Sequence, residues 1–168
     1  MYRLDLQSCN WDQIATFGEG DPKNCPTQLD EHSAVLEGNQ AIIFGGFEDG
    51  ERNNKVRSFD TDLHKWRLLE PADAGAPLPK PRAGHSAAIS KGKMYIFGGK
   101  DDDNEKLSDL WIFDLATRKW SEVQVANPEN APTKRSGHTA VIYEDYMILF
   151  GGILEVTREL NDCHLYDI

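Results

Sequence analysis

Short apolar runs separated by polar, glycine-containing turns fill most of the chain, a pattern that predicts β-strands. The run at residues 94–97 is apolar at consecutive positions, as expected of a strand that is covered on both faces. The run before it, residues 86–89, has smaller side chains and suits a tightly packed inner strand. Taken along the whole chain, the pattern predicts thirteen strands and no helix.

This pair of runs occurs three times at a strict spacing. Each copy begins at a histidine and closes on two glycines, and the histidines recur every 53 residues. A fixed period close to 50 is typical of repeat architectures. We expect each histidine to be hydrogen-bonded inside its own repeat, and each glycine pair to let a tryptophan approach the backbone closely. The structural landmarks of the repeat are His32, Gly45, Gly46, Trp66, His85, Gly98, Gly99, Trp120, His138, Gly151 and Gly152.

A second half completes each repeat with two more strands. It carries an aspartate followed six residues later by tryptophan, as in Asp114 and Trp120, and the chain opens with the same pairing in Asp5 and Trp11. The four-strand units predicted from these landmarks are 29–70 and 82–124, with partial units at 1–18 and 135–168. We therefore expect two complete and two partial units, and a chain that is a piece of a longer protein.

Residues 81–86, 97–99 and 109–114, together with Trp120, resemble a kelch repeat of the long-loop kind, with a Pro-Arg-x-Gly-His-Ser start. The resemblance recurs in register over nearly the whole chain. It implies an all-β fold, in which residues 1–168 form a kelch-type β-propeller fragment of four-stranded antiparallel blades. The first copy departs from the motif, since Leu29 replaces the arginine and Glu31 the glycine.

The long loops are predicted to share one face of the fragment, because the loop into strand one and the loop between strands two and three emerge together from a four-stranded meander. Binding residues tend to lie on such loops. Acidic residues are frequent there, although clusters of this kind also occur as plain solvated surface. Arginines at the start of the inner strand can take part in ligand recognition in kelch relatives, or can instead buttress the turn between blades. The candidate partner-binding residues are Arg82, Arg135, Glu48, Asp49, Asp101, Asp102, Asp103 and Glu155.

The formal net charge of −10 and the pI near 4.9 limit the kinds of partner that the chain is expected to bind. Nucleic acid and anionic membranes both need a positive surface, so a basic protein is favoured instead. The three cysteines stand at different places in the repeat, which suits thiols in a reducing compartment, the cytoplasm or the nucleus. No leader or membrane span and no cofactor are expected.

The leading interpretation is a non-enzymatic interaction module, a scaffold, adaptor or substrate-recognition part of a larger kelch protein. The alternative is a kelch-based enzyme or metal-dependent specifier. Its best candidates are Glu155, Glu159 and Cys163, with His164 beside them, but only a helical turn would bring them together. The repeated histidines are not expected to form a metal ring, and residues 101–112 lack the glycine and glutamate of a calcium loop.

The two partial units predict an open arc. Closed propellers have about four to eight blades, so this chain would span roughly half a ring and expose apolar blade flanks and unpaired strand edges. We expect self-association through the open ends, including as two half-rings.

Overall fold

The computed structural model describes residues 1–17, 21, 23–73 and 75–168. Glu19, Gly20 and Pro22 of the loop predicted at 19–28 lie outside the described residues. The described part of the chain contains eighteen strands and one short 3-10 helix, Pro128–Asn130. The strands are β1 Tyr2–Asp5, β2 Asn10–Gln13, β3 Leu29–Asp30, β4 Ser33–Glu37, β5 Gln40–Phe44, β6 Phe47–Glu48, β7 Glu51–Arg52, β8 Val56–Asp60, β9 Lys65–Leu68, β10 Ser86–Ser90, β11 Lys93–Phe97, β12 Leu110–Asp114, β13 Lys119–Glu122, β14 Thr139–Tyr143, β15 Tyr146–Phe150, β16 Ile153–Glu155, β17 Arg158–Glu159 and β18 Cys163–Asp167.

Thirteen of these strands form the predicted antiparallel meanders. Strands β4-β5-β8-β9 make the sheet that we call blade A, β10-β11-β12-β13 make blade B, and β14-β15-β18 make blade C, while β1 and β2 form a two-stranded hairpin. The all-β fold and the plan of four-stranded blades are thus confirmed. The other five strands, β3, β6, β7, β16 and β17, pair within the long loops. Each has only two or three residues, too few to produce a hydrophobic period in the sequence.

The repeated aspartate and tryptophan are explained by the outer hairpin of each blade. The carboxylate of Asp114 accepts a hydrogen bond from the backbone N–H of Thr117 at 2.7 Å and so closes the turn. Trp120 then pairs with Phe113 across the two strands. The same arrangement joins Asp60 to the turn that precedes Trp66. The spacing of six residues is therefore the length of the hairpin turn plus one strand position.

The core lies between blades rather than within one sheet. One apolar cluster combines Phe44 of blade A with Met94, Ile96, Phe113 and Trp120 of blade B. A second cluster joins the opposite face of blade B to blade C. Alternate residues of each sheet therefore face the preceding and the following blade, which is why the second strand is apolar at every position. In the described residues, none of the helical structure has the length and apolar character of a membrane span.

Candidate interaction face

Each blade sends its long loops to one edge and its short turns to the other. The segment leading into the inner strand pairs with the loop between the second and third strands, as β3 with β6 in blade A. Bridges between Ala83 and Lys100 and between Ser136 and Ile153 repeat this pairing in blades B and C. At the other edge, the amide of Leu115 donates to the carbonyl of Gly92 and joins two short turns. We call the first edge the long-loop face.

Arg82 is fully buried and donates its hydrogen bonds inside blade B. Its guanidinium forms two parallel hydrogen bonds of 2.7 Å to the carboxylate of Asp109. It also donates to the carbonyls of Gly98 and Lys80. Such a bidentate pair offsets the cost of burying the charge. The arginine therefore links the segment that enters the inner strand to the start of the third strand.

Arg135 repeats this arrangement in blade C. It is fully buried, and Nη1 and Nη2 donate to the Asp162 carboxylate at 2.6 and 2.8 Å. These hydrogen bonds hold the pKa of Asp162 well below its usual range. For Asp109, burial acts to raise the pKa, but the hydrogen bonds and charge of Arg82 outweigh it, and the pKa is lowered. Both carboxylates therefore stay ionised and keep the arginines neutralised.

Two of the predicted acidic residues are also committed to internal pairs. Glu48 is buried and accepts hydrogen bonds from Arg57 Nη2 at 2.7 Å and from Lys55 Nζ at 2.7 Å. Asp101 is buried and accepts a hydrogen bond from Lys80 Nζ at 2.8 Å. Their charges are largely neutralised by these partners, so they shape the long-loop face rather than add free charge to it.

The remaining predicted acidic residues are exposed. Asp102 and Asp103 lie on the turn that follows β11, Asp49 lies on the turn between β6 and β7, and Glu155 ends β16. Asp49 accepts a hydrogen bond from the Thr27 hydroxyl at 2.7 Å. All four belong to loops of the long-loop face.

The repeated histidines join neighbouring blades. His85 Nε2 lies 2.8 Å from the Ser33 hydroxyl of blade A, and His138 Nε2 lies 2.7 Å from the Ser86 hydroxyl of blade B. The expectation of a hydrogen bond inside the same repeat is therefore wrong for these two residues. The hydroxyl belongs to the preceding blade because consecutive inner strands lie side by side. Burial, helped by the nearby arginine, lowers the pKa of His85 to about 3 and that of His138 to about 4.

The glycine pairs admit these histidines rather than a tryptophan. A Cβ at Gly45 would lie 2.8 Å from the ring of His85 and 2.8 Å from the carbonyl oxygen of Arg82. The amide of Gly46 donates to that same carbonyl at 2.8 Å. The atoms nearest to Gly45 thus belong to the next blade, whereas a Cβ at Gly46 would meet Asp30 and His32 of its own repeat, so the predicted tryptophan neighbour is wrong. Trp120 instead packs on Phe44, with ring centroids 5.2 Å apart.

The repeated blades, joined by hydrogen bonds of His85 and His138, match a known domain family. A family model described as the KLHDC2/KLHL20/DRC7 Kelch-repeats domain matches residues 69–168, more than half of the chain. The chain belongs to the kelch-repeat domain family. Kelch domains are typically non-enzymatic and generally mediate protein–protein interactions.

The chain is similar to segments of longer proteins. Acyl-CoA-binding domain-containing protein 4 of Arabidopsis thaliana is 31% identical over all of this chain, which covers 25% of that protein. Kelch domain-containing protein 3 of Bos taurus is 31% identical over 89% of this chain and 39% of its own length. Rho GTPase-activating protein gacHH of Dictyostelium discoideum is 30% identical over 81% of this chain and 9% of its own length. The chain thus spans well under half of each relative.

The residues of the metal alternative lie on three separate strands, two in a long loop and one in blade C. Glu155 is on β16, Glu159 on β17 and Cys163 at the start of β18, so the helical turn that this alternative needs is replaced by a hairpin and a strand. His164 Nε2 lies 2.9 Å from the Asp162 carboxylate. Within the described ranges, no three His, Cys, Asp or Glu side chains are grouped as metal ligands.

Sequence reasoning missed the acidic partners of the two arginines. Asp109 and Asp162 each follow their arginine by 27 residues, and this equal spacing was a signal that could have found them. Blade A lacks both members: Leu29 stands at the position of Arg82, and Lys55, whose carbonyl accepts from Gly45 as that of Asp109 accepts from Gly98, stands at the position of Asp109. Losing both members together avoids an unpaired buried charge.

Proposed function

We propose that this kelch chain is a non-enzymatic protein-interaction module, a scaffold, adaptor or substrate-recognition part of a larger protein, and that its long-loop face binds a basic partner protein. Family membership supports the interaction role. The net charge of −10 supports a basic partner, because complementary charge steers association and suppresses binding to acidic surfaces.

The turn at residues 101–105 carries the proposal. The buried carboxylate of Asp101 accepts hydrogen bonds from the amides of Asp103 and Glu105 at 3.2 and 3.1 Å. Lys80 holds the same carboxylate from outside the turn. Asp101 therefore holds the backbone of the turn, and Asp102 and Asp103 are exposed on it. A preorganised acidic pair loses little conformational entropy when it binds a cationic group.

A second contact aligns the acidic turns of neighbouring blades. Arg52 Nη2 of blade A donates to the side-chain oxygen of Asn104 in blade B at 2.6 Å. The guanidinium also lies 4.5 Å from the centre of the Phe47 ring. This tie places the β6–β7 turn, with Asp49, beside the turn that bears Asp102. Two exposed acidic turns then form one continuous part of the long-loop face.

The proposal is tested with a charge reversal that leaves the turn intact. Immobilised wild-type protein captures partners from a cell extract, and a variant with Asp102→Lys and Asp103→Lys is expected to lose the basic ones. The matched control reverses two exposed acids of a short turn, Glu144→Lys and Asp145→Lys, and is expected to retain them. Equal capture by the two variants, or loss only with the control, would refute the proposed face.

Two further parts of the proposal rest on exposed residues. We propose that open blade flanks associate, because large apolar side chains such as Val141, Phe150 and Leu165 are more than half exposed on blade C.

We also propose a cytoplasmic or nuclear location. Cys9 and Cys163 are exposed thiols, and such thiols persist in a reducing compartment.

A further inference from the structure

A groove of about 820 Å³ lies among the long loops of blade A. One wall is formed by β3 and the residue before it, and the other by β6 and the turn between β6 and β7. Asp30 and Asp49 supply carboxylates to the groove, and Leu29 and Phe47 supply apolar surface. The groove therefore combines negative charge with an aromatic ring, a combination that suits an organic cation better than a metal ion.

The aromatic ring belongs to a row of three side chains on one face of the small sheet β3-β6-β7. Asp30 pairs with Phe47, and Phe47 pairs with Arg52. Because directly opposed residues of antiparallel strands share a face, these three side chains lie side by side. Glu48 and Glu51 pair with each other in the same way and lie on the opposite face.

One flank of the row shows what this ring accepts. The guanidinium group of Arg52 lies 4.5 Å from the centre of the Phe47 ring, a cation–π distance. Its Nη2 also donates to the side-chain oxygen of Asn104 at 2.6 Å. The chain thus holds one guanidinium group with an aromatic ring and a side-chain oxygen. On the other flank of Phe47, Asp30 offers a charged acceptor, which forms stronger hydrogen bonds than an amide oxygen.

The two carboxylates of the groove are available to a ligand. Asp30 and Asp49 are both exposed, and within the described ranges neither forms an ion pair. The Thr27 hydroxyl donates to Asp49 Oδ2 at 2.7 Å, and the amide of Asp49 donates to the carbonyl of Gln28 at 3.3 Å. These hydrogen bonds tie the β6–β7 turn to the segment before β3 and leave both carboxylates without a counter-charge.

We propose that this groove binds an arginine side chain of the basic partner protein. The guanidinium group lies beside Phe47 and donates to the carboxylates of Asp30 and Asp49, and the aliphatic part of the side chain packs on Leu29. The inference rests on the proposed basic partner and specifies which of its residues is recognised. Arginine is favoured over lysine because its planar, weakly hydrated group stacks on a ring and forms paired hydrogen bonds, whereas an ammonium group is compact and strongly hydrated.

The groove and the acidic turn of blade B belong to one continuous part of the long-loop face. The hydrogen bond between Arg52 and Asn104 joins the β6–β7 hairpin to the turn at residues 101–105. A partner segment with its arginine in the groove therefore has its neighbouring basic residues close to Asp102 and Asp103. The exposed pair supplies general attraction to positive charge, and the groove supplies the choice of side chain.

The test uses a short peptide as the probe. A peptide with a single arginine between glycine and serine residues, blocked at both ends, and its lysine analogue are titrated into isotope-labelled protein and followed by NMR. The arginine peptide is expected to shift the amide signals of Asp49 and Gly50 and to bind at least about fivefold more tightly than the lysine peptide. Equal binding of the two peptides, or no shift at this turn, would overturn the proposal.

Matched variants of the same small sheet separate the groove from general acidity. Asp30→Asn removes one carboxylate of the groove and is expected to weaken binding of the arginine peptide by about fivefold or more. Glu51→Gln removes the same charge from the opposite face, where Glu51 is exposed, and is expected to change binding by less than about twofold. Equal weakening by the two variants would contradict the proposal. The signals outside the long loops report that each variant is folded.

Phe47→Leu tests the ring itself. It keeps an apolar side chain in the half-buried position but removes the aromatic face, so it is expected to abolish the preference for arginine over lysine. A preference that survives this substitution would refute the role of the ring.

The groove and the proposed acidic face can fail separately. Loss of captured basic proteins with Asp102→Lys and Asp103→Lys, but not with Asp30→Asn, would leave the acidic face in place and overturn the groove as its recognition site. If neither variant changes capture, the proposed face is wrong, and the peptide titration still decides whether the groove binds arginine.

Discussion

The guanidinium group of Arg82 and the carboxylate of Asp109 form two hydrogen bonds of 2.7 Å inside blade B. Trp111 Nε1 donates to the same carboxylate at 2.7 Å. The pair links the start of the inner strand to the start of the third strand, and Arg82 also holds the carbonyl of Gly98. One ion pair thus fixes three corners of the blade on the side that bears the long loops.

Asp109→Asn is expected to lower the free energy of unfolding by about 3 to 5 kcal/mol, because it leaves the buried charge of Arg82 without its counter-charge. Urea denaturation at neutral pH measures the change. Asp12→Asn is the matched control, since the Asp12–Arg3 pair is exposed, and it should change stability by less than about 1 kcal/mol. Similar losses in the two variants would show that the buried pair is not important for stability.

Stability is expected to fall as the pH drops below about 6.5, the ordinary pKa of histidine. His138 has a pKa of about 4 in the folded chain, so between these values the unfolded state binds more protons and gains on acidification. The cost at pH 5 relative to pH 7 is about 2 kcal/mol for this histidine. His138→Gln should reduce the slope of unfolding free energy against pH.

Ser86→Ala is the control for the histidine experiment. It removes the hydroxyl that contacts His138 but leaves the titrating ring in place. It should lower stability at both pH values while keeping the slope. An unchanged slope in His138→Gln would assign the acid sensitivity to other groups.

Gly98→Ala and Gly92→Ala separate backbone strain from close approach. Both glycines have positive φ, +64° and +73°, so an L-residue costs about 1 to 2 kcal/mol at either position. At Gly98 the added Cβ would also lie 2.7 Å from the carbonyl oxygen of Arg135, whereas at Gly92 it meets open space. The melting temperature should therefore fall clearly more for Gly98→Ala than for Gly92→Ala. Equal decreases would show that the close approach of Arg135 to Gly98 does not matter for stability.

Glu31→Gly is expected to stabilise the chain by about 0.5 to 1 kcal/mol, because Glu31 adopts φ +47° at the position where Gly84 and Gly137 have +65°. Its ion pair with Lys100 is long, 3.6 Å, and partly exposed, so little is lost with it. The increase should appear as a higher melting temperature. Glu122→Gly, a control within β13, should lower it instead, and a lower melting temperature for Glu31→Gly would refute the strain argument.

The repeat and its thirteen blade strands could be predicted from the sequence, because both depend on the pattern and spacing of residues that are near each other along the chain. An alternating or continuous apolar run indicates how a strand is covered, and in all three copies the aspartate six residues before a tryptophan closes a hairpin turn. The kelch family followed from the same local motifs. Short strands such as β3 and β16 escaped detection because a period needs more than two or three residues.

Only the tertiary structure decided which charged side chains are exposed to a binding partner and which are paired inside the protein. Arg82, Glu48 and Asp101 carry the same sequence signal as an exposed binding residue, a charge in a polar loop, yet each is buried against a partner between 9 and 27 residues away. Asp102 and Asp103 differ from Asp101 only in the direction in which one turn points their side chains. Burial and pairing depend on contacts between separate segments and between blades, so the sequence by itself determined the blade, and the packing of one blade on the next determined its surface.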